Sequence, residues 1–236
     1  MSTEFGDPIG KAILDYVKTN KPEDIIVSSE ICEDDIIPIE VLFRTLEEMP
    51  DLEVCAVDKA KGKVLDVGAG AGVHALEMKK KGCEVLAIDI SKGATEHLKN
   101  KALNVQNINF FDLKDQQFDT ITMLMNGIGI AGTLSNLENT LAHAKSLLAP
   151  GGKILCDSCD IRYLYEDEDG ALWVNLNTEY YGNFRFQMSY KKEIGPWFDW
   201  LYVDFDSLFK AATNVGLKAT RIYEQDDNYL AEITFE

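Results

Sequence analysis

The stretch from Lys63 to Ile90, KVLDVGAGAGVHALEMKKKGCEVLAIDI, constrains the fold of this chain more than any other. An apolar run (Val64, Leu65, Val67) holds one carboxylate, Asp66, and leads into glycines at alternate positions, Gly68, Gly70 and Gly72. Helical sequence follows from Val73 to Lys81, Gly82 stops it, and a second apolar run closes on Asp89. Strand, glycine turn, helix, strand and acid specify one right-handed βαβ unit with a ligand crevice at its carboxyl edge. Glycines in such a turn accept positive φ and let a ligand lie against bare backbone. The helix start near Gly72 offers free N–H groups and a partial positive charge. An acid at the end of the second strand can accept two hydrogen bonds from a ribose diol. The crevice therefore suits a cofactor that carries a nucleoside.

VLDVGAGAG, with an acid ending the next strand, resembles the cofactor signature of class I S-adenosylmethionine-dependent methyltransferases. The dinucleotide pattern G-x-G-x-x-G is not met, because Val73 stands where its third glycine belongs. Leu148-Ala-Pro-Gly-Gly152, ahead of another apolar run, is a further mark of that family. The resemblance implies S-adenosyl-L-methionine as cofactor and S-adenosyl-L-homocysteine as its product. It assigns Asp66 and the backbone of Gly68, Ala69, Gly70 and Gly72 to the amino-acid end of the cofactor, and Asp89 to the ribose hydroxyls. Ile90 is assigned to one adenine face, Phe111 and Asp112 to the adenine edge, and Asn126 and Gly127 to the methyl-transfer site. His74 lies near the cofactor, and Arg44 is a candidate partner for its carboxylate. No catalytic base is assigned; Asp157, Tyr16 and Tyr181 are candidates by position alone. Methylases of amides and bases often carry Asn/Asp-Pro-Pro-Tyr where this chain reads Asn126-Gly127-Ile128-Gly129, which argues against those acceptors. The run LMNGIGIAGTL resembles small-molecule methyltransferases, so a small-molecule acceptor is expected.

Acids outnumber bases 40 to 23, a net charge of −17 that repels phosphate backbones and disfavours nucleic acid as a partner. The basic cluster Lys79–Lys81 ends a helix, where it complements the dipole. No apolar run approaches bilayer-spanning length and no signal-peptide pattern is present, so no membrane partner and a cytoplasmic location are expected. Five cysteines, an odd number, do not suggest a disulfide framework. Cys156 and Cys159 read as a reduced pair at a strand end, and no metal site is expected. The alternatives are a nicotinamide-dependent oxidoreductase and a non-catalytic cofactor-binding protein on the same fold.

The expected architecture is α/β: a Rossmann-like doubly wound sheet of about seven strands, mostly parallel, with an antiparallel last strand. One domain is expected, with a helical cap (1–60), a cofactor-binding core (61–160), an insert (161–205) and a C-terminal helix and hairpin (206–236). The cap should hold helices from Ile9 to near Asn20 and from Ile36 to Met49. In the core, helices are expected at Lys92–Lys101 and Asn136–Leu148, and strands at Val105–Phe110, Thr120–Met125 and Lys153–Cys156. The insert carries 13 of the 23 aromatic residues, including Trp173, Trp197 and Trp200. Its alternating stretch Phe184–Lys191 reads as a strand, Gly195-Pro196 as a turn, and Trp200–Val203 as the returning strand. The acidic run Glu166–Asp169 reads as a solvated loop. An insert of this kind would roof the substrate entrance, cover its own core, or form a homodimer contact.

Overall fold

The computed structural model describes residues 5–165 and 180–236; Trp173 and the Glu166–Asp169 run lie outside them. The chain opens with α1 (Pro8–Thr19), β1 (Ile25–Ser29) and β2 (Asp35–Ile37), followed by 3-10 turns at Ile39–Phe43 and Leu46–Glu48 and by α2 (Asp51–Lys59). The core continues through β3 (Lys63–Val67), α3 (Val73–Lys80), β4 (Glu84–Asp89), α4 (Lys92–Asn100), β5 (Asn104–Asn107), β6 (Phe118–Met123), α5 (Leu137–Ser146) and β7 (Leu148–Cys159). After the insert strands β8 (Asn183–Tyr190) and β9 (Glu193–Leu201) come α6 (Phe205–Asn214), β10 (Leu217–Gln225) and β11 (Asn228–Phe235).

The main sheet has seven strands in the order β10-β11-β7-β6-β3-β4-β5. Strands β3 to β7 are parallel, and β11 runs antiparallel between β7 and β10, the expected Rossmann-like arrangement. Alternation divides the sheet's side chains between two cores. Leu65, Val67, Ile121, Met123, Ile154 and Cys156 pack against α5 and α6. Val64, Val85, Ala87 and Leu155 face α2, α3 and α4. Asp66 and Asp157 fall on this second face by the same period of two.

A separate four-stranded sheet, β2-β1-β8-β9, is built from both flanking regions. Here the sequence expectations need correction. The region 1–60 is not wholly helical, because β1 and β2 supply two strands of this sheet, with Ile26 opposite Ser189 and Ser29 opposite Phe186. The helix expected over Ile36–Met49 is absent: Ile36 and Ile37 pair with β1, and Arg44 and Met49 are extended. Pro50 stands at the N-cap position of α2, without a side-chain capping bond. The insert hairpin turns at Lys191, where φ is +54°, rather than at Gly195-Pro196. Those two residues lie inside β9, an edge strand with a register shift nearby, where a proline withholds no needed ladder bond. The strand expected over Val105–Phe110 ends at Asn107, and Phe110–Asp112 forms a 3-10 turn.

Helix α1 is fastened to the start of α4. Asp7 caps α1 by accepting from the Gly10 N–H, and it also accepts from the Ser91 hydroxyl and the Gly93 N–H. A Cβ on Gly93 would stand 2.5 Å from the Gly10 Cα. Gly93→Ala should therefore push α1 off α4 and destabilise by about 1–2 kcal/mol, read as a lower urea midpoint at unchanged slope.

Candidate cofactor and methyl-transfer site

The carboxyl ends of β3, β4 and β6 meet at one edge, and the turn after β3 has the geometry that its glycines anticipate. Gly68 and Gly70 take φ of +70° and +55°, and a Cβ built on either meets nothing within 4 Å. The bare backbone at these two residues thus borders open space. Gly72 (φ +85°) serves packing, since a Cβ there would strike Leu98 of α4. The turn is pinned to β4, with the Gly68 and Ala69 N–H groups donating to the Ile88 carbonyl at 2.9 and 3.0 Å.

Asp89 holds its carboxylate across the turn. One oxygen accepts from the Gly70 N–H and the other from the Ser91 N–H, both at 2.8 Å. Burial raises its pKa, against the pull of those two N–H groups. Each oxygen keeps a lone pair for a further donor. Beside it Ile90 is 73% exposed, and Phe111 is 37% exposed on its 3-10 turn. His143 braces that turn, with Nε2 at 2.9 Å from the Phe110 carbonyl and its ring edge-on to Phe110. Asp112 is exposed on the same turn.

Behind the turn lies a buried polar cluster that joins Asp66, His74, Arg44 and Asp157 to Glu53 and Thr122, the two members that sequence reasoning missed. Asp66 is 2% exposed; one oxygen accepts from the Thr122 hydroxyl at 2.8 Å and the other has no partner. Burial raises its pKa, opposed by His74. His74, in the first turn of α3, sets Nε2 2.5 Å from Glu53 of α2, and Glu53 also pairs with Arg44. Burial pushes the Glu53 carboxyl up, but His74 and Arg44 outweigh it and hold the carboxyl below its ordinary value. Arg44 Nε is buried without a partner. Asp157, at the end of β7, accepts from the Asn126 N–H at 2.9 Å, and its other oxygen is also buried and unpartnered. Burial moves its pKa up to about 7, with the Asn126 N–H pulling the other way.

The raised Asp157 value fixes the sign of a pH effect. Between its ordinary 3.8 and about 7 the folded chain keeps a proton that the unfolded chain has released. Stability from this group is therefore lost as pH rises through that window. Asp157→Asn should flatten the decline, by on the order of 1–2 kcal/mol once partial contact with solvent is allowed for. Urea unfolding across the window checks it, and an equally steep slope in the variant would remove the assignment.

The end of β6 is strained. Met125 and Asn126 both take left-handed backbone, with φ of +58° and +56°, a cost accepted most often at functional turns. Met125 is 38% exposed. The Asn126 side chain is fully engaged: Oδ1 accepts from Ser158 at 2.7 Å and Nδ2 donates to the Leu201 carbonyl at 3.2 Å. Asn126 thereby ties β6, β7 and the end of β9 into one junction, and Gly127 begins a buried 3-10 turn behind it. Tyr181, on the insert, donates to Asp160 at 2.8 Å and to Asp204 at 3.3 Å, and Tyr16 packs on Phe43. Cys156 is buried within β7, and both thiols of the pair are free.

A family model described as a methyltransferase domain matches residues 39–198. The chain belongs to that methyltransferase family. A crystal structure of a SAM-dependent methyltransferase from Bacteroides fragilis, in complex with S-adenosyl-L-homocysteine, superposes with a TM-score of 0.91 at 44% identity. That match covers 98% of this chain and 95% of the other. Curated relatives of this methyltransferase match over shorter stretches. A demethylmenaquinone methyltransferase of Tropheryma whipplei is 31% identical over 99 residues, 39% of this chain and 40% of that protein. A ubiquinone biosynthesis O-methyltransferase of Acinetobacter baumannii is 28% identical over 127 residues, 48% and 52% of the respective lengths. The chain thus spans about half the length of the curated relatives it matches. The family match and the relative crystallised with S-adenosyl-L-homocysteine make S-adenosyl-L-methionine the methyltransferase's cofactor.

Proposed function

We propose that this protein transfers a methyl group from S-adenosyl-L-methionine to a small-molecule acceptor by in-line displacement at sulfur. The observation that carries the reading is the open space over Gly68 and Gly70, bordered by an Asp89 carboxylate whose oxygens are already aligned by two N–H groups. In this reading Asp89 takes the ribose hydroxyls, Ile90 and Phe111 lie against the adenine, and Asp112 meets its amino edge. The amino-acid end lies against Gly68, Ala69, Gly70 and Gly72, with Asp66 behind them. Asn126 acts through the backbone junction it holds, and Met125 and Gly127 border the methyl group. Alignment of this kind can contribute several kcal/mol, on the order of 7–11 at its limit.

The division into cap (1–60), core (61–160), insert (161–205) and C-terminal helix and hairpin (206–236) is proposed to be functional, with α1, β1, β2, β8 and β9 together covering the core's cofactor edge. Among the described residues no helix is long and apolar enough to cross a membrane. As part of this proposal the protein works in the cytoplasm, and the net charge of −17 supports a partner other than nucleic acid. Ile26, Ile36 and Ile194 are exposed on the four-stranded sheet, which supports a homodimer through it.

Calorimetric titration with S-adenosyl-L-homocysteine tests the reading, with saturable one-to-one binding expected and no saturable response to NADH. Saturable NADH binding, or no binding of S-adenosyl-L-homocysteine, would reject it.

A further inference from the structure

Asp7 sits between two helix starts, and only half of it serves its own helix. One oxygen caps α1, accepting from the Gly10 N–H at 2.9 Å. The other is given wholly to α4, 84 and 86 residues further on: it accepts from the Ser91 hydroxyl at 2.9 Å and from the Gly93 N–H at 3.0 Å. Capping takes one side-chain acceptor, so the second oxygen has a different task. Gly93 is buried, and its N–H, in the first turn of α4, has no partner within the helix.

The contact continues into the cofactor crevice through Ser91. Its hydroxyl donates to Asp7 and accepts from the Ala94 N–H at 3.0 Å, so one side chain caps α4 and answers α1. Its own N–H donates to Asp89, whose other oxygen accepts from the Gly70 N–H, both at 2.8 Å. A continuous series therefore runs from Gly10 through Asp7, Ser91 and Asp89 to Gly70 of the glycine turn. Ile90, held between Asp89 and Ser91, is 73% exposed, so the series ends at the crevice rather than in the core.

The two helices are shaped around this contact. A Cβ on Gly10 would collide with the Asp7 carboxylate and the Ser91 hydroxyl, and one on Gly93 with the Gly10 backbone. Ala12 and Ile13 of α1 pack with Ala94 of α4 and with Ala71 of the glycine turn. On the opposite side the Gly6 N–H donates to the Ile194 carbonyl of β9 at 2.9 Å, tying the same stretch to the four-stranded sheet. Without Asp7 the Ser91 hydroxyl and the first turn of α4 lose their anchor. The Ser91 N–H aimed at Asp89 is then no longer held in line.

Resting on the cofactor reading, we propose that Asp7 is a positioning residue for S-adenosyl-L-methionine: acting through Ser91, it sets the Asp89 carboxylate for the ribose diol, and cofactor binding in turn fastens α1. The coupling is reciprocal, since whatever docked α1 adds to cofactor affinity the cofactor returns to the docking of α1.

The test is a double-mutant cycle in which S-adenosyl-L-homocysteine affinity is measured by calorimetry on the folded full-length protein. Asp7→Asn keeps an oxygen to cap α1 and removes the acceptor turned toward α4. It should weaken binding roughly 10-fold, the worth of one hydrogen bond, and so should Ser91→Ala. The double variant should bind no more weakly than the weaker single, because both changes cut one series. Should Asp7→Asn not fold, Asp7→Ser takes its place with the same expectations. Hydrogen exchange of the Gly10–Ile13 amides should slow when S-adenosyl-L-homocysteine binds the wild-type protein, and should slow less in Ser91→Ala. Lower stability with undiminished affinity in the Asp7 variant would make the residue a helix cap only and overturn the proposal. Additive losses in the cycle, or equal slowing of exchange in Ser91→Ala, would overturn it too, and each of these leaves the cofactor reading intact. Failure of the wild-type protein to bind S-adenosyl-L-homocysteine would fell the cofactor reading, and this proposal with it.

Discussion

Glu53→Ala should lower the unfolding free energy by about 3–5 kcal/mol, the range found when one member of a buried ion pair is removed. Glu53 is 6% exposed and answers both Arg44 and His74. Without it the Arg44 guanidinium, whose Nε already lacks a partner, is left buried as an uncompensated charge. The arrangement joins three segments, the extended stretch before the second 3-10 turn, α2 and the first turn of α3, so relaxation at one point cannot relieve the others. Glu53→Gln keeps the shape and one acceptor oxygen and should lose less. Chemical denaturation of both variants checks the order, and equal losses would mean that packing, rather than charge, is what Glu53 supplies.

Asp89→Ala should weaken S-adenosyl-L-homocysteine binding by about 3 kcal/mol, roughly 150-fold, since hydrogen bonds to a charged group contribute about 1.5–3 kcal/mol each. Two effects add at this residue. The ribose loses its acceptors, and the Gly70 and Ser91 N–H groups lose the carboxylate that fixes the turn. Asp89→Asn retains one acceptor oxygen and should fall between wild type and alanine. Calorimetry separates these cases, and undiminished affinity in Asp89→Ala would remove the ribose assignment.

The βαβ unit from Lys63 to Asp89 was legible because its determinants are local. Glycine φ, helix start and strand-end acid are all written within one short run, and the observed turn follows them. The same holds for α4, whose Ser91 cap accepts from the Ala94 N–H at 3.0 Å. The roof was not legible for the opposite reason. IIVSS has little alternation, and it becomes a strand because β8, more than 150 residues later, offers it an edge. Gly195-Pro196 looked like a turn because local chemistry cannot reveal that β9 is an edge strand tolerant of proline. Glu53 and Asp157 carried no motif; their importance arises from helices and strands converging on His74. Asn126 was singled out by its strand-end position, and its role at the junction became visible only when Ser158 and Leu201 were placed beside it.

The position of β11 has a consequence for how the chain is made. It pairs with β7 on one side and β10 on the other, so residues 228–235 complete the interior of the sheet rather than its rim. Until they clear the ribosome, the hydrogen-bonding edge of β7 stays open on every nascent copy. Such an edge invites pairing between neighbouring nascent chains. Synthesis that pauses ahead of Asn228 should therefore raise aggregation during expression even though the cofactor turn has long since emerged.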